Sequence, residues 1–348
     1  MPGPPPEHLP QVGASIASVA MAGPGRLVSN DELAARLGVD AQWIAKRTGT
    51  RERPWASDGE RLSQLATEAG QTALMRAGLE PGELDLVLVA TSTADEITPN
   101  AAPLVAGLLG AHRAGALDVG AACTGWLSAL ALACGQIESG RARHVLVVGA
   151  DFLSRLLDLD DRDTASLFAD GAGAAVVSAT DAPTGRIGPV LLRADHSGSQ
   201  LIRLDRGDHI RLEGHESFRA AVAALTQVTL EALAASGCRL EDIELFVYHQ
   251  ANSRILRAVG QRLELADERV VDYVDRFANA STATLPTALS VAQSEGRLVP
   301  GHRVLLAAFG GGLTWGGTVV EWTAPVPASA SMSARKPATA QPSVMPTV

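Results

Sequence analysis

The sequence predicts an α/β protein of two similar halves, its sheets buried between helices. Three observations carry that prediction: short continuous apolar runs, Ala-rich helical stretches between them, and an ordered echo between the two halves of the chain. Strands are expected at LDLVLVATS (84–92), RHVLVVGAD (143–151), GAAVVSA (173–179), ELFVYHQ (244–250), RVLLAAF (303–309) and GTVVEW (317–322). These runs are continuous rather than alternating, as in strands covered on both faces. Helices are expected at 63–78 and 216–237; in the second, Phe218, Val222, Leu225 and Thr229 recur at helical spacing. Sheets covered by helices follow from this alternation. The echo pairs LDLVLVATST with IELFVYHQAN, RHVLVVGAD with HRVLLAAFG, and GAGAAVVSA with WGGTVVEWT. One such pair could be chance, but three in the same order point to an internal duplication whose paired strand ends can meet at one site. The halves are expected at 11–180 and 181–323. The Pro-rich start, residues 1–10, and the Ala/Ser/Pro/Thr-rich tail, 324–348, are expected to be disordered for want of apolar period.

Composition narrows the function. Of 348 residues, 46% are hydrophobic and 19% charged, which suits a well-buried globule. A net charge of −9 and a pI near 5.4 argue against general nucleic-acid binding, so any acidic partner must meet a local positive patch. The three cysteines, Cys123, Cys134 and Cys238, form no CxxC pair and no metal-ligand spacing, and read as reduced thiols. The N-terminus lacks the pattern of a signal peptide, and no run of about 18 uninterrupted apolar residues occurs. The expectation is a soluble cytoplasmic protein without metal or membrane span.

Cys123 lies between a strand-like LDV and an apolar helical segment, among the small residues Ala121, Ala122 and Gly125. That setting predicts a thiol at a helix N-terminus, where the dipole favours thiolate. Cys134 and Cys238 fit inert cysteines better. His249 ends an apolar strand and precedes Gln250, Ala251 and Asn252, like a site at the carboxyl edge of a sheet. Asn279 sits in a loop of small residues before a helix signal, and FGGGLTWGG (309–317) can supply backbone N–H groups for an oxyanion hole or a tight turn. Read singly, each also fits a bland role: a core thiol, a structural histidine, a turn or cap.

Together, RTGTRER (47–53), DVGAACTGW (118–126), FADGAGAAVV (168–177), HQANSRI (249–255), NASTAT (279–284) and FGGGLTWG (309–316) resemble, in order, the signatures of the β-ketoacyl-[acyl carrier protein] synthase III family. The resemblance covers roughly residues 11–322. It implies a duplicated thiolase fold, a five-layer αβαβα sandwich, usually homodimeric. It implies Cys123 as the acylated nucleophile with His249 and Asn279 beside it, and the amides of Cys123 and Gly311 as the oxyanion hole. Acyl-CoA would load Cys123. Decarboxylation of malonyl-acyl carrier protein, with His249 and Asn279 donating to the enolate, would then give a 3-ketoacyl product without a cofactor. Trp43, Arg47 and Arg162 would hold the CoA adenine and Asn252 the pantetheine arm. Arg219, Arg254, Arg257 and Arg262 form a candidate patch for the acidic carrier.

Departures from the family pattern are also legible. Thr98 stands where acetyl-selective members place a bulky aromatic from the partner subunit, which predicts a roomier acyl pocket. The segment 197–214 is shorter than usual, which puts the substrate cover in question, and His215 replaces a commoner asparagine. An acyltransferase of the same fold that moves acyl groups without condensation is the main rival. A thiolase would need a second cysteine in the glycine loop, and a catalytically dead partner subunit would not need all of Cys123, His249 and Asn279.

Overall fold

Two sheets with the same strand order frame the computed structural model, which describes residues 12–327. In chain order the elements are β1 (Gly13–Ala22), β2 (Arg26–Ser29), α1 (Asn30–Leu37), α2 (Ala41–Thr48), β3 (Glu52–Trp55), α3 (Leu62–Ala77), β4 (Leu86–Ala90), α4 (Ala101–Leu109), β5 (Gly115–Val119), α5 (Gly125–Glu138), β6 (His144–Phe152), α6 (Arg162–Ala165), β7 (Asp170–Thr180), β8 (Leu191–Ala194), β9 (Ile202–Arg203), β10 (Arg211–Leu212), α7 (Gly214–Ala235), β11 (Leu245–Tyr248), α8 (Ser253–Arg262), α9 (Val274–Phe277), α10 (Thr284–Ser294), β12 (Arg303–Gly310) and β13 (Thr314–Glu321). All six expected strands and both expected helices form, with ends shifted by a few residues.

The first sheet runs β1-β7-β6-β4-β5 and the second β11-β12-β13-β8. The duplication is visible in the pairing. β4 and β6 are parallel, as are β11 and β12; β6/β7 and β7/β1 are antiparallel, as are β12/β13 and β13/β8. The second counterpart of β5 shrinks to a single parallel bridge between Phe246 and Val270.

Alternation along the strands sends neighbouring side chains to different layers. Leu146 and Val148 of β6 pack outward with Ala69, Ala73 and Leu74 of α3. Val145 and Val147 pack inward with Trp126, Leu127 and Leu130 of α5, in one core that also holds Leu285 and Leu289 of α10 and Val304 and Leu306 of β12. On the far side of the second sheet, Phe246, Leu305 and Val319 meet Leu225 and Val228 of α7 and Leu256 and Val259 of α8. The layers are thus α3/α4, sheet, α5/α10, sheet, α7/α8: a five-layer αβαβα sandwich. α7 has the length and apolar character to cross a membrane, but its apolar face is part of this core.

The chain end requires one correction. Ala324 is buried, and the Gln293 amide donates to the carbonyls of Ala324 and Pro325 at 3.2 and 2.9 Å, so order extends past the boundary expected at 324. The apolar environment and the two hydrogen bonds offset the ordering entropy that composition alone would leave unmet. Residues 1–10 and most of the tail lie outside the described residues.

The halves meet where strand ends carry no side chain. A Cβ on Gly149 of β6 would fall inside the carbonyl of Thr282 and 3.2 Å from the Trp126 ring. Gly149→Ala is therefore expected to lower stability by about 1–3 kcal/mol through overpacking, read as a lower urea midpoint with unchanged slope; an unshifted midpoint would show that the contact can relax.

Candidate active site

Two turns of the same form build the site, one from each half. After β5 the chain makes a tight turn at Ala122, with φ 44°, before Cys123 and α5; after Asn279 it makes another at Ser281, with φ 48°, before α10. Left-handed backbone at a non-glycine residue costs about 1–3 kcal/mol and persists only where the surroundings enforce it. At the Ser281 turn Asp151, at the end of β6, braces the next residue, Thr282. Its fully buried carboxylate is met by the hydroxyls of Thr91, Thr93 and Thr282 and the amides of Ser92 and Thr282, at 2.8–3.2 Å. Burial still pushes its pKa upward against those hydrogen bonds.

Cys123 stands at the start of α5, as expected, yet the expected thiolate is not the resting form. Burial pushes its pKa up to about 11; a hydrogen bond with Ser281 opposes this, and the nearby Asp151 charge adds to it. Desolvation outweighs the helix terminus because the charged form gives up most of its water for a few N–H dipoles. Behind the sulfur, a Cβ on Gly310 would lie 2.9 Å from the Cys123 amide nitrogen, so the glycine run lets β12 press against Cys123. Cys134 is buried in the core with its pKa up to about 12, and Cys238 is a half-buried free thiol.

His249 continues β11, its N–H donating to Ala307 O at 2.8 Å, and its ring is buried. Burial lowers its pKa to about 3, so the imidazole is neutral at rest. Its Nδ1 lies 2.5 Å from Thr284 Oγ1. Asn279 is fixed from both sides of its backbone: its N–H donates to Leu167 O at 3.1 Å, and its carbonyl accepts from Ala169 N at 2.9 Å. Its Oδ1 accepts from Ser281 N at 2.9 Å, which assigns the amide and turns Nδ2 into a donor.

Cys123 lies at the junction of two cavities. One, of about 520 Å³, is lined by His249, Asn279, Asn252, Arg47, His215 and Arg254 as well as Cys123. The other, of about 680 Å³, has an apolar wall of Phe152, Leu153, Leu156 and Ile210 and also reaches Gly311. Phe168 and Ile202 border both. The short 197–214 segment still covers the site, because β9 and β10 pair as a hairpin that lays Ile202 O 3.2 Å from where a Gly311 Cβ would be.

The structure gathers most of the residues singled out in the sequence. Trp43 is flanked by the guanidiniums of Arg47 and Arg162, 5.3 and 5.6 Å from its ring centre. α2 approaches α8 closely because Gly49, with φ 88°, caps it where a side chain would strike Ser253. Asn252 caps α8 through Oδ1 and donates to Arg47 O at 3.2 Å, tying the Trp43 helix to the cavity. Arg219, Arg254, Arg257 and Arg262 are all exposed. Arg254 stacks over Phe218 at the cavity mouth, whereas Arg262 ends α8 about 12 Å further along. Thr98 is exposed and lines neither cavity of its own chain. The sequence reading missed Asp151, Thr284, Phe168 and Ile202. A charge closing the apolar run VLVVGAD was the available signal for Asp151; the others carry none.

A thiol held neutral by burial predicts a definite alkylation profile. Thiolate is the reactive form, and below the pKa its fraction rises tenfold per pH unit. Iodoacetamide labelling of Cys123 should therefore climb from pH 7 to 10 without levelling, and a plateau near neutrality would contradict the burial account.

The comparisons agree with this architecture. Residues 117–196 match the family model for 3-oxoacyl-[acyl-carrier-protein (ACP)] synthase III, and residues 233–322 match its C-terminal model. The chain is 42% identical over 316 residues to the β-ketoacyl-[acyl-carrier-protein] synthase III of Rhizorhabdus wittichii, covering 89% of this chain and 99% of the relative. Among solved structures, the 3-oxoacyl-[acyl-carrier-protein] synthase III of Aquifex aeolicus superposes with a TM-score of 0.87 at 37% identity, covering 89% of this chain and all of that one. The priming β-ketosynthase of the R1128 polyketide pathway gives 0.87 at 34%, covering 92% of this chain and all of that one. On this evidence the chain belongs to the 3-oxoacyl-[acyl-carrier-protein] synthase III family.

Proposed function

We propose that this protein takes an acyl group from acyl-CoA onto Cys123 and condenses it with malonyl-acyl carrier protein, releasing carbon dioxide and a 3-ketoacyl product. The observation that carries this reading is the position of Cys123 between two cavities, one holding His249 and Asn279, the other with an apolar wall of Phe152, Leu153, Leu156 and Ile210. A condensing enzyme needs both, because the acyl chain must stay on sulfur while a second thioester arrives. CoA enters past Trp43, Arg47 and Arg162, and its pantetheine arm passes Asn252. The amides of Cys123 and Gly311 receive the oxyanion.

As malonyl thioester loses carbon dioxide, negative charge grows on its carbonyl oxygen, and donors placed there stabilise the transition state. The Asn279 Nδ2 group suits that role, since Ser281 already occupies Oδ1. A retained and oriented asparagine favours condensation over simple acyl transfer. The products prime a fatty acid or, as the likeness to the R1128 enzyme supports, a specialised polyketide. The starter is larger than acetyl, because the cavity walled by Phe152, Leu153, Leu156 and Ile210 is roomy and Thr98, contributed by a partner subunit, is short. A homodimer is supported by the free edge of β5, whose Leu117 is exposed, and by Ile97, 83% exposed beside Thr98. Free thiols support a cytoplasmic location, and no cofactor enters the chemistry.

Intact-protein mass spectrometry after exposure to a mixture of acyl-CoAs should show one acyl adduct, absent in Cys123→Ala and preferring chains longer than acetyl; a sharp acetyl preference would refute the roomy pocket. Asn279→Ala should still acylate but release carbon dioxide from malonyl-carrier protein about 10²–10³-fold more slowly; unchanged release would favour the acyl-transfer reading. Arg254→Glu should raise KM for malonyl-carrier protein several-fold and more steeply at low salt; an unchanged KM would remove Arg254 from the docking surface.

A further inference from the structure

We propose that Gln250 is a positioning residue: its side-chain amide replaces sheet hydrogen bonds missing from the second half and so fixes the segment that delivers Asn279. The inference rests on the donor role of Asn279 proposed above. The duplication shows what is missing. In the first half β5 pairs with β4 over five residues, Leu86–Ala90 against Gly115–Val119, and the chain leaves that ladder for Cys123. In the second half the corresponding stretch meets β11 through one bridge, Phe246 with Val270, and the Val271 N–H donates to Phe246 O at 3.0 Å. Bonds along one edge of a parallel ladder repeat every second residue, so the next would run from Tyr273 N–H to Tyr248 O. Gln250 is 2% exposed, and its amide lies between those two groups instead. Nε2 donates to Tyr248 O at 2.7 Å and to Val271 O at 3.1 Å, and Oε1 accepts from Tyr273 N–H at 2.8 Å. Carbonyls only accept and an N–H only donates, so these contacts admit one orientation of the amide.

What the amide holds leads straight to the site. Tyr273 precedes α9, and α9 ends on Ala278, whose φ of 49° and ψ of −152° are unusual for a residue with a Cβ, immediately before Asn279. Such backbone persists only where its surroundings fix it from both sides. One side is Asn279 itself, held by Leu167 O and Ala169 N–H. The other is α9. Two further contacts reach its start: Ser253 Oγ donates to Asp272 Oδ1 at 2.8 Å, and Arg51 N–H donates to Asp275 O at 2.9 Å. These tie the turn to α8 and to the residue before β3, and leave its spacing from β11 to the Gln250 amide. Without that amide the strain at Ala278 can relax by a swing of α9, which moves Asn279 relative to His249. His249 does not follow, because its own N–H stays on Ala307 O in the pairing of β11 with β12. Gln250 thus acts through Asn279 rather than through its neighbour in sequence.

A double-mutant cycle on the full-length enzyme tests this. Gln250→Met, close in shape but unable to bridge, should slow carbon dioxide release from malonyl-carrier protein by about ten- to a hundredfold, the scale of a catalytic group misplaced by an ångström. KM for the carrier protein should change little, and acylation of Cys123 should fall far less than carbon dioxide release. In the Asn279→Ala background the same substitution should add less than about a threefold loss, because two changes that act through one group are not additive. Losses that multiply in the double variant would overturn the proposal. So would acylation slowed as much as carbon dioxide release, or a Gln250→Met enzyme with the wild-type rate. If the methionine variant does not fold, Gln250→Glu, whose oxygen still accepts from Tyr273 N–H, takes its place in the cycle with the same expected split and the same overturning results. Asn279→Ala alone separates the two readings. If it leaves carbon dioxide release unchanged, the condensation reading fails and takes this inference with it. If it slows release while the Gln250 variant does not, only the role of Gln250 fails.

Discussion

The buried carboxylate of Asp151 is the contact on which the site depends. It gathers the 91–93 segment at the end of β4 and the Thr282 turn from the opposite half onto one pair of oxygens. An isolated carboxylate away from water is costly, and the converging hydrogen bonds keep the cost tolerable. The same interaction braces the turn in which Ser281 is left-handed, and Ser281 in turn aims the Asn279 amide and touches Cys123. Glycine at 149 completes the arrangement by letting that turn sit directly on β6. Loosening the turn would therefore free the Asn279 amide along with the partners of Asp151.

The site is drier than a helix N-terminus alone would lead one to expect. Cys123 and His249 both rest neutral, because burial disfavours each charged form. A neutral pair holds little thiolate to be oxidised or alkylated between turnovers. Burial therefore keeps both groups neutral before substrate arrives.

Two cavities meeting at one sulfur answer the geometric problem of a two-step condensation. In the proposed reaction the acyl chain lies against the apolar wall of one cavity, which leaves the other to the second thioester. Phe168 and the β9–β10 hairpin, through Ile202, border both spaces, and a short hairpin suffices because its backbone lies directly against the glycine turn.

Much of this was legible in the sequence, because buried strands and glycine turns leave one-dimensional traces. Continuous apolar runs fixed six strands, and the echo of three of them anticipated two sheets of one topology. Cys123, His249 and Asn279 stand out as polar residues at the ends of apolar elements. β1 left a weaker trace: its small residues, GASIASVAMA, have little strand propensity and are held by pairing with β7. What only the tertiary structure decided are quantities set by distant neighbours. Asp151 and Thr284 meet partners 58 to 131 and 35 residues away, and the local sequence, a charge closing an apolar run in the one case and nothing in the other, does not say which partners those are. The protonation of Cys123 depends on how much water the fold removes, which a helix-start motif does not encode. Sequence determined which groups reach the site; packing determined where their protons reside.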